Sequence, residues 1–121
     1  MTNHKFKDLK VWQSSIELAK LVYEITLSFP DSEKYGLISQ IRRCAISIPS
    51  NISEGSGRNT NQDFARFLSI ALGSSYELET QLLLSEKLKL INISSLDAIL
   101  VRLYEVQKML FVLQRKMEGK P

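Results

Sequence analysis

The side chains that could do chemistry crowd into one stretch: Arg42, Arg43, Ser47, Pro49, Asn51, Ser53, Glu54, Gly55 and Arg58, with Arg66 shortly beyond. Four arginines there suit phosphate contacts, because each guanidinium offers paired donors in a fixed fork. If the stretch is helical, Gln40, Arg43, Ser47, Ser50 or Asn51, and Glu54 share one face at steps of three and four. Three readings of that face stand side by side. It is a solvated helix side ending in a glycine-rich turn. Alternatively, Arg42, Arg43, Arg58 and Arg66 form a basic patch around a helix end, or Glu54 pairs with one of these arginines and holds the turn rigid.

Other chemistries fail on missing partners. Gly55-Ser56-Gly57-Arg58-Asn59-Thr60 has the glycines of a phosphate loop but no Gly-Lys-Ser/Thr ending and no preceding strand. Glu77, Glu79 and Glu86 would need Glu-x-x-His motifs to hold a di-iron centre, and the single histidine, His4, stands at the N-terminus. His4 is also far in sequence from the single cysteine, Cys44, so no Cys-His dyad or Ser-His-Asp triad can be named. The expectation is a protein that is not an enzyme, with no metal, no cofactor and no small-molecule substrate. Cys44 reads as a small buried hydrophobe, and Trp12 and Tyr23 as core residues rather than stacking platforms.

Bulk properties set the frame. The 121 residues, 44% of them hydrophobic, suffice for one domain, 1–121, whose core needs no disulfide. Sixteen Lys and Arg against 13 Asp and Glu give a net charge of +3 and a pI near 9.1, which permits a nucleic-acid or acidic partner without demanding one. Met1 to Lys5 lead into mixed polar sequence without an apolar leader region, and no window approaches about 18 apolar residues, so the expected location is the cytoplasm and no membrane is involved. On that expectation, Asn51-Ile52-Ser53 and Asn92-Ile93-Ser94 are ordinary helix and capping residues rather than glycosylation sites.

The elements that must position the arginines are helices, because apolar residues recur at helical spacing almost throughout. The pattern predicts four, roughly 6–28, 32–54, 61–89 and 95–117. The first carries Leu9, Trp12, Ile16, Ala19 and Tyr23 and stops near Phe29-Pro30. The second, capped by Asp31 or Ser32, carries Leu37, Ile41, Cys44, Ala45, Ile48 and Ile52. Pro49 should kink or break it, and Gly55-Ser56-Gly57 should end it in left-handed geometry. The third opens with Thr60 and Asp63 as a variant capping box and buries Phe64, Phe67, Leu68, Ala71, Ser75, Leu78 and Leu82. Gly73 inside it costs about 1 kcal/mol relative to Ala, tolerable where another helix approaches closely. The fourth, with Ser94 as its cap, repeats Leu96, Ile99, Leu103, Val106, Leu110, Leu113 and Met117 at alternating steps of three and four.

Leu100, Val101, Tyr104, Phe111 and Val112 lie off that seam, so the fourth helix is apolar over more than one stripe. A bundle helix needs one. The excess implies either a helix sunk deep in its own bundle or a second contact, most simply with another copy of the chain. Short connections favour an all-α, antiparallel up-down-up-down four-helix bundle.

Several strings together resemble a known bacterial family: Phe6-Lys7-Asp8-Leu9-Lys10-Val11-Trp12-Gln13, Glu33-Lys34-Tyr35-Gly36-Leu37, Gln40-Ile41-Arg42-Arg43-Cys44-Ala45, Ser47-Ile48-Pro49-Ser50-Asn51-Ile52-Ser53-Glu54-Gly55 and Ala71-Leu72-Gly73-Ser74-Ser75-Tyr76-Glu77-Leu78-Glu79-Thr80. They resemble the four-helix-bundle proteins encoded in intervening sequences of bacterial 23S ribosomal RNA genes, with Cys44 and Ser53 where Ala is expected. The resemblance implies a ring-shaped homopentamer. That family is in turn similar to the accessory variability protein of diversity-generating retroelements, a basic barrel that binds nucleic acid and a reverse transcriptase. The combined expectation is a homo-oligomer binding RNA or a nucleic-acid-bound protein through Arg42, Arg43, Arg58 and Arg66. Ser47, Pro49, Asn51, Glu54, Gly55, Gly73, Glu77, Leu100, Tyr104 and Phe111 are its structural or interface residues. The alternative is a protein-interaction scaffold with no direct nucleic-acid role.

Overall fold

The computed structural model describes residues 5–33 and 35–121; His4 and Lys34, both used in the sequence argument, lie outside them. Four α-helices follow one another: α1 Lys10–Thr26, α2 Leu37–Ser56, α3 Asn61–Lys87 and α4 Ile93–Met117, with single 3-10 turns at Phe6–Asp8 and Asp31–Glu33. Among the described residues there is no strand. Helix α1 packs on α2 and α4, and α3 packs on the same two, around one shared core. That is the packing of a four-helix bundle.

All four helices line the core, and the apolar stripes of α3 and α4 follow their predicted spacing into it. Phe64, Phe67, Leu68, Ala71, Ser75, Leu78 and Leu82 are all buried, as their spacing predicts, and so is every member of the α4 seam except the partly covered Leu113. Burying each such Leu or Phe contributes about 1.5–3 kcal/mol. The start of α3 is also as expected: the Thr60 hydroxyl accepts the Asp63 N–H at 3.1 Å.

The face of α1 differs from the expectation. Val11, Ser15, Leu18, Ala19, Val22 and Thr26 are buried, whereas Ile16 and Tyr23 are exposed. Two apolar stripes overlap on this helix and share Ala19, and periodicity alone does not choose between them. The Leu9-Trp12 stripe rides at the rim, where Trp12 meets the Phe6 ring edge-on at 5.2 Å.

Three helix ends also move. Asp31 and Ser32 form their own 3-10 turn, and α2 starts after Gly36 with no side-chain cap. The cap of α4 is Asn92, whose Oδ1 accepts the Ser95 N–H at 2.8 Å, leaving Ser94 inside the helix. At the far end of α2, Gly57 has φ −90°, so the helix stops without left-handed geometry. The helix is unbroken across Pro49, which is buried, so the break weighed at the sequence level does not occur. The missing N–H of that proline frees the carbonyl of Ala45 from its helical bond.

The close approach that would make Gly73 tolerable is found at Gly55 instead. A Cβ on Gly55 would stand 2.6 Å from Phe67 Cβ and 2.9 Å from Phe64 Cδ1, whereas one on Gly73 meets nothing within 4 Å. Leu100, expected at an interface, is buried within its own bundle because it packs beside Ile99 and Leu103 in the core. Val101, Tyr104, Phe111 and Val112 remain exposed on α4.

Candidate nucleic-acid interface

The four arginines do not form one patch. Arg42 and Arg43 lie in the first half of α2 and Arg58 follows its end, about 24 Å farther along at 1.5 Å per residue. Sequence proximity concealed this because a helix stays straight where a loop would fold back.

Arg58 and Arg66 are brought together. Both guanidinium carbons lie 4.6 Å from the centroid of the same Phe67 ring. Asp63 anchors both, with Oδ2 3.4 Å from Arg58 Nε and Oδ1 3.0 Å from Arg66 Nε. Phe67 itself is held in the core by the Gly55 contact, so the ring is a fixed platform. Cation–π attraction adds about 0.5–1 kcal/mol at such exposed sites, and exposed ion pairs add little, so the arrangement matters more for geometry than for stability. Two positive charges against one negative leave the ledge net positive. Lys5 and Lys7 line a hollow with Asp8, Ser53, Ser56 and Gly57, next to this turn. Asp63, not Glu54, is thus the acid that rigidifies the turn.

Arg42 is committed differently. Its Nε donates to Thr26 Oγ1 at 2.9 Å, Nη2 donates to the Tyr23 carbonyl at 3.4 Å, and the guanidinium carbon sits 4.4 Å over the Tyr23 ring. It donates to one carbonyl, that of Tyr23, in the last turn of α1, to which Thr26 Oγ1 also donates, and places a cation at the negative end of that helix. Tyr23 is therefore a stacking partner and not a core residue. Arg43, next along α2, is exposed.

The polar residues between these sites tie α2 to α3. Ser47 Oγ lies 2.8 Å from Ser74 Oγ, and Asn51 Nδ2 donates to the Ser47 carbonyl at 2.8 Å and to its Oγ at 3.0 Å. Cys44 is buried, and desolvation, with Glu77 beside it, pushes its thiol up to about 11. Glu54 and Gly73 face outward. On α4, desolvation and then the Glu79 carboxylate hold the Tyr104 hydroxyl above its ordinary value, while Glu79 accepts from Gln107 at 2.9 Å. Among the described residues, no group of three or more His, Cys, Asp and Glu is gathered as a metal site would require.

Sequence reasoning missed Asp63, Phe67 and Thr26 as members of these arrangements. The Asp63-Arg66 pair was legible as an i,i+3 spacing. The spacing of Phe67 marks it as core, which it is, but its other role needs the fold to bring Arg58 beside it.

A family model described as 23S rRNA-intervening sequence protein matches residues 7–112. Among solved structures, the crystal structure of a protein with unknown function from the S23 ribosomal protein family of Bacteroides thetaiotaomicron superposes with a TM-score of 0.78. It is 26% identical, over 87% of this chain and 98% of that one. No curated protein matches the sequence. No helix among the described residues is long and apolar enough to cross a membrane.

Proposed function

From the premise that this chain belongs to the 23S rRNA-intervening sequence protein family, we propose a cytoplasmic, non-enzymatic protein that assembles with copies of itself and holds RNA. The observation that carries the RNA reading is the pair of guanidiniums, Arg58 and Arg66, fixed over one buried ring by one carboxylate. A preorganised fork loses little side-chain freedom on meeting a phosphate, which is what a backbone contact requires.

The connections 27–36, 57–60 and 88–92 are short, which supports an antiparallel up-down-up-down course. The uncovered apolar residues of α4, Val101, Tyr104, Phe111 and Val112, support self-association. A ring of five copies, the number the family resemblance implies, would multiply a charge of +3 per copy to about +15. The same apolar face favours the second reading, a scaffold that docks a protein and ignores RNA.

Anisotropy of a labelled single-stranded RNA of about 20 nucleotides, titrated between about 50 and about 200 mM salt, separates the two. Affinity should fall with salt, and the Arg58→Ala/Arg66→Ala variant should lower the log–log slope by about 0.7 for each phosphate it no longer neutralises. Equal binding by wild type and variant would remove the ledge from the account. No binding at any salt would leave the scaffold.

A further inference from the structure

A second concave site lies at the other end of α2. A cavity of about 650 Å³ there is lined by Tyr23, Tyr35, Arg42, Arg43, Ile46 and Ser47 among others, and among the described residues its lining contains no carboxylate. Tyr35 is 89% exposed and Ile46 44%, so an aromatic ring and an aliphatic edge both face the opening. Arg42 presents a guanidinium plane already immobilised by Thr26 Oγ1, the Tyr23 carbonyl and the Tyr23 ring. Ser47, part of the lining, is held in place by Ser74 and Asn51. Exposed flat π surfaces, a fixed guanidinium and an adjacent exposed cation are the components with which proteins hold single-stranded nucleic acid.

We infer that this cavity takes an unpaired nucleobase of single-stranded RNA, stacked against Tyr35 and the Arg42 plane, with the neighbouring phosphate on Arg43. The inference rests on the RNA reading above and divides the labour between two sites. The Arg58-Arg66 ledge meets backbone only, and the α2 cavity meets a base. Stacking tolerates any base because each has a π face, so the site selects unpaired strands over duplexes rather than one sequence over another.

The test uses the full chain and a single-stranded RNA of about 12 nucleotides carrying 2-aminopurine, whose fluorescence is quenched on stacking. Wild type should quench it. Tyr35→Ala should abolish the quench and weaken binding at least about fivefold, and Tyr35→Phe should retain both because the ring remains. Ile46→Asp, which places a carboxylate in the same cavity, should abolish the quench independently. Heparin, a polyanion without bases, should bind wild type and Tyr35→Ala equally, and circular dichroism should show the same helicity for both. RNA binding and quenching by both cavity variants at wild-type level would overturn the base site while leaving the RNA reading in place. Wild-type protein that binds no RNA would overturn both.

Discussion

At the residue scale, the two helical glycines carry opposite expectations. Adding a methyl at Gly55 drives a Cβ to 2.6 Å from Phe67, and the ring cannot yield without moving the platform under Arg58 and Arg66. Gly55→Ala should therefore destabilise the fold by about 1–3 kcal/mol. Gly73→Ala meets empty space in a helix and should stabilise by about 0.5–1 kcal/mol. Denaturant unfolding of both variants measures the difference, and a Gly73 variant that instead impairs assembly would place that surface at a contact between copies. Cys44 offers a pH signature. Its folded thiol titrates at about 11 against 9.0 in its ordinary state, so between these values the unfolded chain has shed a proton that the folded one keeps. The stabilisation is complete below about pH 9 and is lost as pH rises to about 11. Unfolding followed across that window should show a flatter decline for Cys44→Ala than for wild type.

At the element scale, caps separate what the sequence disclosed from what it withheld. Asn92→Ala should cost about 1 kcal/mol because Asn92 accepts the Ser95 N–H, and Ser94→Ala should change stability by only a few tenths. Thermal melts of the pair decide between the two caps. Several side chains near this helix start could cap it, and only the backbone course selects one. The same limit explains α1, where two stripes sharing Ala19 compete and the one with Val11, Leu18 and Val22 wins burial. Helix α3 was legible almost residue by residue along its stripe and α4 along its heptad seam, whereas Leu100 beside that seam, and Gly55 against Gly73, were not, because burial off the seam and close approach are properties of pairs of helices. For the arginines, only their positions along the chain were legible. Residue types pointed to phosphate, but the rigid length of α2 splits the four arginines into two sites that lie close together only in sequence.

At the scale of the whole molecule, the bundle buries the seam of α4 and leaves Val101, Tyr104, Phe111 and Val112 uncovered, while Arg42 and Arg43 stand in the first half of α2 and Arg58 just past its end. A monomer gains nothing from such an apolar face, and a modest net charge becomes a strong field only when copies are joined. Assembly and RNA retention are thus parts of one account. Light scattering on the purified protein, alone and with a short single-stranded RNA at about 50 and about 200 mM salt, tests both together. The account predicts a particle several times the 13.8 kDa of one chain that gains mass with RNA at the lower salt and sheds it at the higher. A 13.8 kDa particle, or an assembly whose mass RNA never changes, would contradict it.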